Sequence, residues 1–438
     1  MRNLSLTFAV LAGLLLTGCA TTESTPDPLP AATVSGPTLN VAAGSQDVDL
    51  SGPLGPDALA VIAVFTNPDL KALRASVGVA QAQVFAAGLY PDPTFSLGFD
   101  VPLNGTGLVP ALGAGLGYDF AAIARRPSTL RAARADQERL QYDIVWAEWL
   151  TGKQALLLAA RVSHLRKIKT QTAELRRYAD DELQRALRAV AHGDLPPASL
   201  ETRRLAATDA ADRDRTAELQ LRSAELDLNR LLGIDPAETL SIAAPASSAK
   251  PLPRVQSIFM GAQAARADLA ALRAGYEGSA AAVDAARLGA YPLPALAINA
   301  ARDTGNLKTF GPNVSFTLPL WNRGQGDLAI AKASQAQMRA DYAARLERVR
   351  ADIASARAAA EITRAQKSDV AREIAPLVPQ AEANDRAAAR GDISVSTANA
   401  ARMTLLDKQI TEATLALAVA EYEIALEISA GQALEAIE

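Results

Sequence analysis

Residues able to do chemistry are scarce in this chain. It carries one cysteine, Cys19, and two histidines, His164 and His192. Nucleophilic catalysis needs a base beside a serine or cysteine, and a metal centre needs several convergent His, Cys or carboxylate ligands. No Gly-x-Ser-x-Gly, phosphate-binding glycine loop or ligand spacing of that kind occurs. The expectation is a protein without enzymatic activity, cofactor or metal. A formal net charge of -4 also gives no reason to expect a nucleic-acid partner. Two carboxylates stand out by position. Asp194 follows Gly193 and Asp392 follows Gly391, each at a turn between helical runs. Such an aspartate commonly caps the next helix. His192, beside the first turn, is placed to meet helix-end carbonyls.

The cysteine sits in Leu16-Thr17-Gly18-Cys19, after Arg2 and an apolar run from Leu4 to Leu16. The run is a secretory h-region, too short to span a bilayer. Its ending resembles a bacterial lipoprotein signal. The resemblance implies loss of residues 1–18, a diacylglycerol thioether on Cys19 and an acylated new amino group. Each buried methylene adds about 0.8 kcal/mol of membrane affinity, so several chains on one residue anchor firmly. Ala20 stands where an aspartate tends to hold such proteins at the inner membrane, which is compatible with the outer one. Residues 19–57, rich in Pro, Thr, Ser and Gly, read as a lipidated tether.

The elements behind these residues come in duplicate. Leu70, Leu73, Val77, Ala80, Val84 and Ala87 step 3, 4, 3, 4, 3, and so do Leu269, Leu272, Tyr276, Ser279, Val283 and Ala286. Both sets form one stripe on a helix. Each run ends at a Tyr-Pro-x-Pro (Tyr90 to Pro93, Tyr291 to Pro294), after which the period becomes two. Phe95, Leu97, Phe99 and Val101 alternate with Thr94, Ser96, Gly98 and Asp100. Leu112, Ala114, Leu116, Tyr118 and Phe120 alternate with glycines and Asp119. In the second half Leu296, Ile298 and Ala300, then Val314, Phe316, Leu318 and Leu320, do the same. Strands of about 9–10 residues, apolar on one face and small or polar on the other, fit a tilted bilayer crossing. Tyr90, Phe120, Tyr291 and Trp321 stand where strand meets helix, as an interfacial aromatic belt does.

Four strands cannot close a barrel, because single-chain barrels start at about eight strands and open edges are costly in hydrocarbon. The chain must therefore oligomerise. Long helices follow each hairpin, from about Pro127 to His192 and from Gln325 to Arg390, with shorter return helices after the Gly-Asp turns. The expected division is a first repeat over 58–234 (hairpin 93–120, tip turn 193–197), an equatorial linker over 235–260, a second repeat over 261–432 (hairpin 294–320, tip turn 391–396) and a tail over 433–438. Within each repeat the two short helices, end to end, nearly match the long one.

Asn67-Pro68-Asp69-Leu70, Leu89-Tyr90-Pro91-Asp92-Pro93-Thr94, Gly311-Pro312 with Leu318 to Gly324, and the paired Gly-Asp turns are similar to the TolC family of outer-membrane efflux channels. The resemblance covers nearly all of the chain after Cys19. It implies a mainly α protein with a small transmembrane β part: a homotrimer whose twelve-stranded barrel, four strands per chain, continues into a long periplasmic α-helical barrel. It also implies a passive conduit whose tips, at Gly193, Asp194, Gly391 and Asp392, dock a periplasmic adaptor (membrane fusion protein) joined to an inner-membrane pump; Asp194 and Asp392 from three chains would then line or flank the closing end and favour cations, the alternative to capping. Family members place aspartates about two turns past the second tip; here Thr397, Ala398, Asn399 and Ala400 stand there. Closure would then fall to groups such as Asp180, Asp181 or Asp385. A type I protein-secretion outlet shares the design. A structural coiled-coil lipoprotein would explain the long helices but not the hairpins. Met260, Met338 and Met403 are scattered and form no thioether cluster.

Overall fold

The computed structural model describes residues 53–243, 250–318 and 320–437. Cys19, the signal segment and nearly all of the tether lie outside the described residues. The first half runs α1 (Pro56–Thr66), α2 (Pro68–Gly88), β1 (Thr94–Asp100), β2 (Ala111–Asp119), α3 (Phe120–Ala191) and α4 (Leu200–Leu232). The second repeats that order as α5 (Val255–Ala265), α6 (Ala267–Leu288), β3 (Ala295–Arg302), β4 (Lys308–Ser315), α7 (Gln325–Arg390) and α8 (Val395–Ala430).

At 1.5 Å per residue the 72-residue α3 is about 108 Å long and the 66-residue α7 about 99 Å. Towards the tips α3 packs between α4 and α8; towards the sheet it packs between α2 and α6. On the other side of α6 and α8 lies α7. Alanine makes the close approach possible. Ala210, Ala217 and Ala224 of α4 recur at the coiled-coil spacing and are buried with Leu158, Val162, Leu165 and Leu175 of α3.

Three expectations about boundaries need correction. The long first helix begins at Phe120, ahead of Pro127, because the Asp119 carboxylate accepts from the Ala121 and Ala122 amides and caps it. The second hairpin, expected over 294–320, stops pairing at Ser315, which already faces Ala295 at the start of β3. Phe316, Thr317 and Leu318 thus have no partner strand among the described residues. The stretch expected as linker to residue 260 contains the start of α5, whose Ile258 and Ala262 bury one helical face on Val349, Ile353 and Leu426.

The short helices meet end to end at two junctions. In the first, Asn67 caps α2 through the Leu70 amide at 2.9 Å and donates its Nδ2 to the Leu231 carbonyl of α4 at 2.8 Å. In the second, Arg266 stands in the place of Asn67. Its Nη1 reaches the Ser429 carbonyl of α8 at 2.7 Å, its Nε and Nη2 grip Asp268 at 2.9 and 2.7 Å, and its guanidinium lies 4.3 Å from the centre of the Trp146 ring. Both returning helices end on a left-handed glycine, Gly233 (φ +64) and Gly431 (φ +68). These glycines close on Pro68 and Arg266, where a Cβ would approach to 3.1 and 2.5 Å. Around the junctions, Leu54 bridges Ile242, Lys250 pairs with Glu435 at 2.9 Å, and Arg357 and Arg364 hold the Pro253 and Lys250 carbonyls. The first and last stretches of the described residues and the inter-repeat segment therefore share one belt.

Candidate functional site

The four strands form one antiparallel sheet in the order β1-β2-β3-β4. The register decides what each face is. Phe95 faces Leu116, Leu97 faces Ala114 and Phe99 faces Leu112. Leu116 in turn faces Ile298, Tyr118 faces Leu296, and Ala300 faces Phe310. Since successive side chains alternate, these residues share one face. Phe95, Leu97, Phe99, Leu116, Ile298, Phe310 and Val314 each leave more than half of their surface uncovered. Burying a side chain of this size is worth about 1.5–3 kcal/mol, so such a face in water leaves on the order of 10 kcal/mol unrealised.

The opposite face carries Thr94, Ser96 and Gly98 of β1, Gly113, Gly115 and Gly117 of β2, Ala297 and Asn299 of β3, and Thr309, Gly311 and Asn313 of β4. The glycines make room for polar neighbours. A Cβ on Gly115 would meet Asn299 Oδ1 at 2.5 Å and Ser96 Oγ at 2.7 Å. β1 and β4 each leave one edge unpaired among the described residues. In hydrocarbon such an edge costs several kcal/mol per unsatisfied backbone group. No described helix is long and apolar enough to cross a membrane.

The register also places all four strand–helix junctions at one end of the sheet. Thr94, Gly117, Ala295 and Ser315 form its last rows there. Tyr90 is exposed and lies under the Arg126 guanidinium at 4.3 Å; Arg126 Nε also donates to the Gly88 carbonyl at 2.7 Å. Phe120 meets Tyr118 edge to face, with ring centres 5.7 Å apart. Tyr291 is exposed, and Trp321 is 90% exposed. These four aromatic residues thus leave large uncovered surfaces where sheet gives way to helix.

At the other end of the helices the two tip turns share one geometry. Gly193 (φ +81) and Gly391 (φ +82) end α3 and α7 in the left-handed region. The Asp194 amide reaches back to the Ala189 carbonyl at 2.8 Å, and the Asp392 amide to Ala387 at 2.9 Å. This pattern satisfies the helix-end carbonyls and explains the glycines. It also removes the capping role for the aspartates. Ser394, not Asp392, caps α8 by accepting from the Thr397 amide at 3.1 Å, and α4 has no side-chain cap. Asp392 pairs with Arg390 at 2.8 Å, whereas the exposed Asp194 carboxylate has no side-chain partner among the described residues.

Above the tips, Asp385 of α7 is bound by Arg402 of α8, and Glu182 of α3 accepts from both Ser396 of α8 and Arg203 of α4 at 3.4 Å. Polar contacts thus link α7 to α8 and α8 through α3 to α4. Asp180 lies 3.6 Å from Arg176, and Asp181 is exposed. Further up, Asp214 is buried against α3 with Lys169 at 2.7 Å, Thr172 at 3.2 Å and Arg176 at 3.3 Å. Burial resists its ionisation, but the Lys169, Arg176 and Thr172 contacts outweigh that and hold its pKa below the ordinary carboxylate value. His164 is half-buried on α3; burial, then Lys167 and Lys367, push its pKa down. His192 lies exposed at the tip, where its amide bonds the Arg188 carbonyl. Among the described residues no His, Cys, Asp or Glu cluster could hold a metal.

Solved structures with this arrangement include outer-membrane channels. The Campylobacter jejuni outer membrane channel CmeC matches with a TM-score of 0.71 at 17% identity, covering 92% of this chain and 93% of that one. CusC, a transmembrane channel, gives 0.68 at 18% identity, covering 93% and 99%. The open state of MtrE from Neisseria gonorrhoeae gives 0.65 at 17% identity, covering 93% and 98%. The chain has the TolC fold. No family model and no curated protein matches the sequence. Sequence reading missed Arg266 and Asp268. The signal was present: aligning the repeats sets Arg266 against Asn67, a change of type at a position that spans two helices.

Proposed function

We propose that the chain is the outer-membrane channel of a tripartite efflux system. It acts as a homotrimer whose sheets close a twelve-stranded barrel and whose helices form a periplasmic tunnel. The observation that carries this is a four-stranded sheet with one exposed apolar face, one small or polar face and two open edges. A bilayer takes the apolar face, and pairing of β4 with β1 of the next copy satisfies both edges without new sequence. Exposed apolar side chains on the lateral helices support the same closure: Val79 and Phe85 on α2, Leu205 and Leu219 on α4, Ile330 and Ile362 on α7. Tyr90, Phe120, Tyr291 and Trp321 then lie at the periplasmic interface of the outer membrane, and acyl chains on Cys19 add an anchor.

The channel does no chemistry. It conveys what an inner-membrane pump delivers through a periplasmic adaptor, which docks at the turns around Gly193, Asp194, Gly391 and Asp392. A strain lacking the gene, profiled against drugs, detergents and metal ions, should gain susceptibility to at least one class, and the intact gene should restore resistance. An unchanged profile together with loss of a secreted protein would replace efflux by protein secretion.

A further inference from the structure

We propose that Arg302 and Lys308 hold the phosphate group of an anionic lipid at the end of the sheet remote from the helices. The proposal rests on the membrane reading above, under which that end lies in the outer leaflet. Arg302 ends β3 and Lys308 begins β4, and the two face each other as the last pair of their ladder. Alternation puts both on the apolar face, in line with Ile298 and Ala300 on β3 and with Phe310 and Pro312 on β4. Like charges directly opposite on neighbouring strands repel. No ion pair among the described residues offsets that. Lys308 is exposed and has no ion-pair partner among the described residues. Arg302 spends one donor, Nη2, on the Pro110 carbonyl at 3.0 Å, and its shielded Nε has none.

The acidic neighbours are turned to other tasks. Asp303 accepts from the Leu307 amide at 2.8 Å within the hairpin turn, and Asp100 lies on the small-residue face opposite Ala111. Around the cation pair stand exposed Leu112, Leu307 and Phe310, with Leu112 directly across from Arg302. A guanidinium and an ammonium suit a phosphate monoester. The apolar surround suits acyl chains and distinguishes a glycolipid phosphate monoester from a free ion.

Native mass spectrometry of the purified oligomer with added bisphosphorylated lipid A tests this. Wild-type protein should retain lipid A, and the double variant Arg302→Gln, Lys308→Gln should lose about tenfold or more in affinity, the scale of one charge-assisted hydrogen bond. Dephosphorylated lipid A should bind the wild type as weakly, a comparison that needs no variant to fold. Inorganic phosphate should fail to displace the lipid; displacement at equal concentration would make this a free-phosphate site and overturn the assignment. Equal retention by the double variant as an intact oligomer, or equal retention of the dephosphorylated lipid, would also overturn it and leave the channel reading untouched. A wild-type protein that is monomeric and inactive in bilayers would remove both.

Discussion

Leu97 offers the sharpest perturbation of the sheet. It stands mid-way along β1, on the apolar face, and is 67% exposed. In water, replacing an exposed leucine by arginine is harmless or mildly favourable. In a bilayer the same Leu97→Arg change costs about 2–4 kcal/mol near the midplane of each chain, and three copies sum to about 6–12 kcal/mol. That is comparable with the whole stability of an ordinary domain. Asn313→Arg supplies the control. Asn313 lies on β4, on the opposite face, across from small Ala297, where a cation would sit in an aqueous lumen. The assay is refolding of purified protein into vesicles, with the folded fraction read by heat-modifiable migration. Leu97→Arg should nearly abolish the folded oligomer, whereas Asn313→Arg should fold and shift ion selectivity towards anions. Equal folding of both variants, or a greater loss for Asn313→Arg, would refute the assignment of the apolar face to lipid.

Other outcomes follow from single sites. Arg266→Ala leaves Asp268 buried, with Arg345 at 3.5 Å as its one remaining ion-pair partner among the described residues, and strips the Ser429 carbonyl of its donor; it should cost about 3–5 kcal/mol in thermal or denaturant unfolding. The double change Arg266→Met, Asp268→Leu should cost clearly less, because it removes the orphaned charge as well. Asp214 has a folded-state pKa below its unfolded value, so its contribution is present above the ordinary carboxylate pKa and is lost as pH falls through the folded one. Melting curves across the acid range should therefore fall less steeply for Asp214→Asn than for the wild type. Asp194→Asn should reduce cation selectivity in planar bilayers more than Asp392→Asn does, because Arg390 already neutralises Asp392; reversal potentials unchanged in both variants would remove the tip carboxylates from the conduction path.

Local elements were legible because their periods are local. The 3-4 stripe of α2 and α6 and the alternation of β1 to β4 depend only on near neighbours in sequence. Pairing of β2 with β3 does not. It joins Gly115 to Asn299 across the long α3 and every helix from α4 to α6, and no periodicity encodes which distant strand is chosen. The start of α3 was misread because Pro127 looks like a helix opening, while the cap that decides it is Asp119. The two aspartates after the tip glycines were legible as turn residues but not as uncapped ones. That required seeing the glycine turn satisfy the helix ends through the backbone, with Ser394 taking the capping role at α8. That Arg302 and Lys308 face each other was not legible, since it is a property of register.

The mass of the mature protein in mild detergent, with bilayer conductance recorded from the same fraction, tests the central claim most directly. Because each copy holds four strands with both outer edges unpaired among its described residues, the account predicts a particle of three copies that conducts ions. A monodisperse single copy without conductance would contradict it.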